Sequence, residues 1–428
     1  MAIVRSSGHS ALMRLRSSRL AILYVAGVLV IHAMVVWNAR DLILKGYPDF
    51  TIYYTAGTMI RQGMGHDLYN NVTQFVVQQQ FAAQVATRLG ALPFNHPPFE
   101  ALLFVPFAYF PYRVAYLLWT LANLGMLATL PILLRPYVPV LARLPSVAWT
   151  LASLAFFPIF FALLQGQDAI LLMFLYGLAF VALKNQRLVA AGAWLACGLF
   201  KFHLVLPFLF LLLIQQRTFE ERKKLLGGFV AVAVLLGAIS FATVGMRQMS
   251  MYPHYLLGLE ATTAGGAVNP FDMPNLRGLL SLIAGDNRHF GIMAISLSAM
   301  LVLAAAWIAH RSPDDGDDPK FCLAVFTCVL VSYHALAHDL CVLALPVLLL
   351  LGWLSSSMTP TSWTRPTIIA GLAVLLFSPL QLVLLMRYNR LALLAWAVLL
   401  CFAGVAGELR LRTLGARSRD LVVEGKSF

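Results

Sequence analysis

The sequence predicts an all-α polytopic membrane fold, and three observations carry that prediction. Hydrophobic residues make up 60% of the 428 positions and charged residues only 11%, against roughly 25% charged in a soluble domain. Apolar runs approaching the roughly 20 residues that cross a bilayer recur along the whole chain. The cations behind a net charge of +13 gather in a few short segments, as suits topology setting and anionic headgroups. A nucleic-acid partner would instead want a basic face with interleaved aromatics. The five cysteines (Cys197, Cys322, Cys328, Cys341 and Cys401) all lie inside apolar runs without a Cys-x-x-Cys pair. They read as small hydrophobes, so neither a disulfide framework nor a structural zinc is expected.

In chain order, residues 1–19 form a basic leader with Arg5, Arg14, Arg16 and Arg19. The following stretch, Leu20 to Trp37, lacks a small-residue cleavage site and reads as a retained signal-anchor with its N-terminus in the cytoplasm. Further runs at 97–110, 112–134, 145–164, 168–183, 189–214, 226–243, 291–309, 321–337, 339–355, 366–386 and 390–406 bring the expectation to about 12 transmembrane helices. Residues 20–406 then form one transmembrane domain and 407–428 a basic cytoplasmic tail with Arg410, Arg412, Arg417 and Arg419. The basic stretch Arg217 to Lys224 also falls inside, as the positive-inside rule asks. Arg135, Arg143, Lys184 and Arg187 fall outside, against that rule. The run 97–110 is short and carries Pro97, Pro98 and Pro106. Short or re-entrant segments among spans two to six would remove the conflict.

Two long polar segments, 38–96 and 245–290, are expected outside. In the first, residues 50–62 place Phe50, Tyr53, Tyr54, Gly57 and Ile60/Arg61 at helical spacing, and residues 72–89 read as a second amphipathic helix, with Gly63 and Gly65 between them as stop signals. Both suit the interface plane, against lipid or protein. The second segment is rich in breakers: Pro253, Gly258, Gly265, Gly266, Pro270, Pro274, Gly278 and Gly285. Asp314 to Asp318 reads as a solvated acidic connector. No internal repeat is evident, which weighs against a transporter built from two similar halves.

Ionisable groups inside apolar runs are functional candidates by default. Lys201 and His203 stand in Gly198-Leu199-Phe200-Lys201-Phe202-His203 with long apolar sequence on either side. Their alternation around Phe202 suggests a local break or polar seam; the plain alternative is a snorkelling lysine. His334 and His338 share a helical face next to Asp339. They admit a catalytic or phosphate-contacting role, a satisfied interfacial histidine, or a metal site. Gln165-Gly166-Gln167-Asp168 is a turn or an amide-lined cavity wall, and His96-Pro97-Pro98-Phe99-Glu100 opens a helix. Arg277 is a phosphate contact or a solvated arginine. Asp41 beside Arg40 is a surface pair. Asp49, in Tyr47-Pro48-Asp49-Phe50, is a lone carboxylate just beyond the first apolar run.

Several motifs occur in a set order: Asp-Phe-x-x-Tyr-Tyr-x-Ala-Gly at 49–57, Gly63 with Leu68-Tyr69, Pro97-Pro98 leading to Pro106 and Trp119, and Gly166-Gln167. Ala191-Gly192 running to Lys201-Phe202-His203, Asn275-Leu276-Arg277-Gly278 and His338-Asp339-Leu340 before Pro346 complete the series. Over roughly residues 45–350 the chain resembles the polytopic glycosyltransferases of family 87. The family usually has an aromatic residue directly before the Pro-Pro pair, where this chain has His96, a departure that bears on sugar or acceptor preference. The resemblance implies the GT-C fold and an active site on the outer or periplasmic side of the plasma or inner membrane. It also implies a polyprenyl-phosphate-linked sugar donor, mannose by family default, and a glycolipid or glycan acceptor; attack by the acceptor hydroxyl from the opposite face would invert the anomeric carbon, and with a protein cation on the leaving phosphate this scheme requires no cofactor or metal. Asp49 is then the expected base with His338 as its competitor, and Lys201, His203 and Arg277 hold the leaving phosphate. Tyr53, Tyr54, His96, Gln167, His334 and Asp339 line the cavity. Loss of Asp49 or Lys201 is expected to leave a folded, nearly inactive protein. The rival readings are a transporter or flippase for a lipid-linked or anionic solute, and a noncatalytic scaffold.

Overall fold

The computed structural model describes residues 3–82, 91–261, 269–284, 288–313, 317–356 and 362–424, and among them every regular element is helical. The expected helix 72–89 begins as α3 (Asn71–Ala82), and its remainder lies outside the described residues. So do Gly265, Gly266, Gly285 and most of the Asp314–Asp318 connector.

Among the described residues six helices are long and apolar enough to cross a bilayer: 19–44 within α1 (Ile3–Leu44), α5 (Tyr112–Leu134), 219–258 within α11 (Phe219–Ala261), 290–311 within α13 (Arg288–Arg311), 337–355 ending in α15 (Ala344–Ser356), and 391–415, running from the 3₁₀ turn Leu391–Leu394 into α18 (Ala395–Glu424). Three bent pairs bring the number to nine if each crosses once. They are α6 (Ser146–Leu154) with α7 (Phe157–Gln165), bent by 76°; α9 (Leu188–Cys197) with the segment containing α10 (Phe202–Gln215), bent by 62°; and α16 (Thr364–Leu376) with the segment opened by α17 (Ser378–Val383), bent by 58°. Pro158 and Pro379 stand in the first turns after two of these breaks, where proline fits a starting helix but cannot continue the preceding one. Six to nine helices qualify among the described residues, and twelve upright crossings are not confirmed. The run 97–110 becomes the seven-residue α4 (Pro98–Phe104) and a 3₁₀ turn. The run 168–183 becomes α8 (Ala169–Lys184), buried along most of its length. At 1.5 Å per residue its 16 residues span about 24 Å.

This rearrangement removes the charge conflict. Lys184 and Gln186 line one cavity of about 300 Å³ with Gln215, Arg217 and Lys320. Gln215, Arg217 and Lys320 also line a neighbouring cavity of about 420 Å³ with Arg311 and Thr413. Arg143 donates to Ser355 Oγ at 2.9 Å, at the far end of α15 from Asp339. The basic turns thus share one end of the bundle. Leu188 and Gln215 line that same cavity, so the α9–α10 pair enters and leaves at one end, with Lys201 at its inner turn. Close backbones hold α9 against α11: a Cβ on Gly192 would stand 2.0 Å from Leu225 O, and one on Gly228 2.0 Å from Val189 O. Such small residues let helices approach where lipid supplies no hydrophobic drive.

At the opposite end α2 (Phe50–Arg61) is no lipid-facing helix. Phe50, Tyr53, Tyr54, Ala56 and Met59 are buried, and Phe50, Tyr54, Phe81, Tyr112 and Tyr116 interlock as a cluster of ring contacts. The chain turns at Gly245, whose φ of 78° suits glycine. Beyond it Tyr252 donates to Asn95 O at 3.1 Å and Tyr255 to Asn71 Oδ1 at 2.9 Å. The two polar segments are thereby packed on each other over the site end.

Candidate active site

The site is assembled where four chain breaks meet. The first is the start of α2, where Asp49 follows Pro48 and stands half-buried. The second is the turn 165–168 between α7 and α8. Gly166 takes a left-handed conformation there (φ 64°) and its Cα hydrogens face Phe50, whose Cβ a side chain would meet at 2.7 Å. Trp119 Nε1 donates to Gly166 O at 3.0 Å, and Tyr116 donates to the last carbonyls of α7. Glycine is thus required at this αL position, and the turn presents Gln165, Gln167 and Asp168 inward.

Gln167 Nε2 donates to Asp49 Oδ2 at 2.7 Å, and the Gln167 Oε1 accepts from the Tyr53 hydroxyl at 2.7 Å. The Asp49 backbone N–H donates to Gln165 Oε1 at 3.3 Å. Tyr53 is fully buried, and burial followed by the nearby carboxylates raises its pKa well above the usual phenol range. It therefore stays a donor and fixes which way the Gln167 amide points. Among the described residues Asp49 Oδ1 accepts no hydrogen bond from a side chain.

The third break is the 3₁₀ turn Leu199–Lys201 between α9 and α10. Lys201 Nζ lies 2.9 Å from Asp168 Oδ1 and 2.9 Å from Asp339 Oδ1, with all three side chains buried. Asp339 belongs to the 3₁₀ turn Ala337–Leu343, the fourth break, and its Oδ2 accepts from the Leu336 N–H at 2.8 Å. His338 Nε2 is 3.6 Å from Asp339 Oδ1. Lys201 is therefore the centre of a buried carboxylate–ammonium–carboxylate bridge. The expectation that its loss leaves the fold intact is revised accordingly, since stranding two buried carboxylates is costly.

On the other flank, His96 Nδ1 is 2.7 Å from Glu100 Oε2 and 3.5 Å from Asp168 Oδ2, and its ring meets Tyr53 edge-on. Burial lowers the His96 pKa to about 4. Burial, reinforced by Asp168, raises that of Glu100. The 2.7 Å approach of His96 Nδ1 to Glu100 Oε2 lacks hydrogen-bond geometry, so these buried atoms are left without a hydrogen-bond partner among the described residues. These three residues are the group of described side chains whose spacing suits a metal ion. The His334, His338 and Asp339 set is not so grouped: Asp339 is committed to Lys201, and His334 turns toward His203 at a ring distance of 6.2 Å.

A second polar cluster centres on Ser332. Its Oγ contacts His203 Nδ1 at 2.7 Å and accepts from the His334 N–H at 3.3 Å, while its carbonyl accepts from Asn275 Nδ2 at 2.7 Å. Asn275 Oδ1 in turn accepts from the Gly278 N–H, opening α12 (Leu276–Ala284). Arg277 lies 3.9 Å over the Tyr333 ring and donates to its carbonyl at 3.1 Å.

Of the residues singled out in the sequence, Asp49, Tyr53, His96, Gln167, Lys201, His338 and Asp339 are brought together, with His203, His334 and Arg277 one shell further along the Ser332 cluster. Tyr54 is set apart: its hydroxyl donates to Phe110 O at 2.8 Å and its ring is part of the aromatic packing. The sequence by itself assigns no role to Glu100 or Asp168. Their one local signal is a carboxylate at the mouth of an apolar helix, which capping alone explains equally well.

No curated protein matches the chain in sequence, and no solved structure matches its fold. The family model of glycosyltransferase family 87 matches residues 94–338, more than half the chain, and that interval contains His96, Gln167, Asp168, Lys201 and Arg277 and ends at His338. A helical bundle with several membrane-crossing segments, a carboxylate network at one end and this family match together make the chain a member of glycosyltransferase family 87, a membrane glycosyltransferase.

Proposed function

We propose that the protein transfers a sugar, mannose by the family default, from a polyprenyl monophosphate to a glycolipid or glycan hydroxyl, with inversion, on the outer side of the membrane. The observation that supports this most is the way Asp49 is held. One carboxylate oxygen is fixed by Gln167, itself oriented by Tyr53, and the next residue, Asp168, carries the Lys201 bridge. A base and a charge-bearing network thus share one end of the bundle, opposite the basic turns.

In this reading the acceptor hydroxyl gives its proton to Asp49 Oδ1 as its oxygen bonds to the anomeric carbon. The bond from that carbon to the phosphate oxygen breaks, and its electron pair leaves with the phosphate. Asp49 suits the base better than His338, which is buried and leans on Asp339. A general base must come within hydrogen-bond reach of the proton it takes. Arg277, with His203 and His334, stands for the phosphate-contacting side, where donors aimed at developing charge stabilise the transition state. Lys201, fixed between two carboxylates, acts there as a positioning residue for Asp168 and Asp339.

Transfer of radiolabelled sugar from a polyprenyl phosphate, in proteoliposomes of the purified protein, tests the proposal. Asp49→Asn is expected to lower turnover on the order of a hundredfold or more while eluting and melting like the parent. Full transfer by Asp49→Asn, with loss in His338→Gln, would move the base to His338. Transport of the intact lipid-linked sugar without transfer would refute the reading.

A further inference from the structure

At the site buried carboxyl groups outnumber buried ammonium groups among the described residues. Glu100, Asp168 and Asp339 are buried carboxyls, and Lys201 is the buried ammonium among them. Charges in apolar surroundings are costly unless matched. The Lys201 ammonium engages Oδ1 of both aspartates, which leaves Asp168 Oδ2 directed at His96. There one ligand atom each from His96, Glu100 and Asp168 lie within 4.8 Å of one another. The second observation concerns Glu100. Its side chain is 1% exposed, and neither of its oxygens has a well-formed hydrogen bond among the described residues beyond the His96 contact. His96 and Glu100 are held rigidly: they are four residues apart across the start of α4, and the His96 carbonyl accepts from the Tyr69 hydroxyl at 2.9 Å.

We propose that His96, Glu100 and Asp168 form a binding site for one divalent cation of the manganese or zinc class. One imidazole nitrogen and two carboxylate oxygens are a ligand set such ions accept, and three protein ligands leave positions open to water or another oxygen ligand. Lys201 then serves as the outer partner that orients Asp168, as supporting hydrogen bonds do at metal sites. The open positions of the cation would face oxygens of the donor phosphate; that clause rests on the transfer reading above, whereas cation binding does not.

The test uses the full-length protein in detergent, stripped with chelator and titrated with Mn²⁺ alone under electron paramagnetic resonance. The expected result is one saturable Mn²⁺ per chain with the hyperfine coupling of one imidazole nitrogen. Glu100→Gln and Asp168→Asn should each weaken binding by more than the tenfold to hundredfold, roughly, that follows loss of a supporting outer partner. His96→Gln should remove the nitrogen coupling and His338→Gln should keep it, so the assignment stands even if a carboxylate variant fails to fold. Absence of saturable binding overturns the proposal. So does Mn²⁺ binding that survives Glu100→Gln, or nitrogen coupling that persists in His96→Gln. Sugar transfer on the same preparations separates the two claims. Transfer unchanged by stripping would overturn the phosphate role with the site left standing, and a bound cation without any transfer would sink the transfer reading alone.

Discussion

Replacing Lys201 with methionine keeps the length and apolar volume of the side chain and removes only its ammonium. Two contacts disappear, each at 2.9 Å, to Asp168 Oδ1 and Asp339 Oδ1. At the effective dielectric of about 20 that describes protein charges, each attraction is about 6 kcal/mol before desolvation. Most of that is offset by the cost of bringing the ions out of water. Measured losses on breaking one buried pair are about 3–5 kcal/mol, because the abandoned charge stays buried. Against a total stability of about 5–15 kcal/mol this is a large share. The melting point of Lys201→Met, read by fluorescence-detected size exclusion after heating in detergent, is expected to fall by something on the order of 5–10 °C. The triple variant Lys201→Met/Asp168→Asn/Asp339→Asn removes the stranded charges as well and should regain most of the loss, while sugar transfer stays absent. A Lys201→Met protein that melts with the parent would refute the bridge. It would return Lys201 to the expectation from sequence, a cation free for phosphate.

Gln167→Leu leaves Asp49 without its fixed donor; hydrogen bonds to charged groups contribute about 1.5–3 kcal/mol, so turnover should fall about 10- to 150-fold in the radiolabel assay at unchanged elution. Tyr53→Phe removes the donor that orients Gln167 and should give a smaller drop of the same kind, at a stability cost of about 1–3 kcal/mol for the unpartnered amide oxygen; a larger effect on turnover than Gln167→Leu would count against the relay. Gly228→Leu drives a side chain into Val189 O, where a Cβ alone stands at 2.0 Å. It should part α9 from α11, displace the Lys201 turn and abolish both expression as a monodisperse species and transfer; wild-type behaviour would refute the close approach.

What the sequence determined by itself is the solvent each part of the chain lives in and the places where that solvent is violated. Apolar runs gave the helical membrane class, and the helical spacing from Phe50 located α2 to within a residue. Lys201 announced itself because an ammonium inside an apolar run needs a reason. Gly166 with its flanking amides announced a break, and the ordered motifs pointed to the family that residues 94–338 match. Charge placement also carried the warning about the count of twelve: Lys184 and Arg187 on the wrong side point to short or turned-back segments, and Lys184 does share a cavity with Arg217 and Lys320. Only the tertiary structure decided the partners. Asp168, Asp339 and Glu100 are remote in sequence from Lys201 or from one another, and nothing local distinguishes a carboxylate that caps a helix from one that neutralises a distant ammonium. Whether Lys201 faces substrate or two aspartates, and whether Tyr54 lines a cavity or packs a core, depends on which helix ends meet. That is settled by packing across the whole bundle, because in an apolar medium a buried charge takes whichever opposite charge the fold brings within about 3 Å.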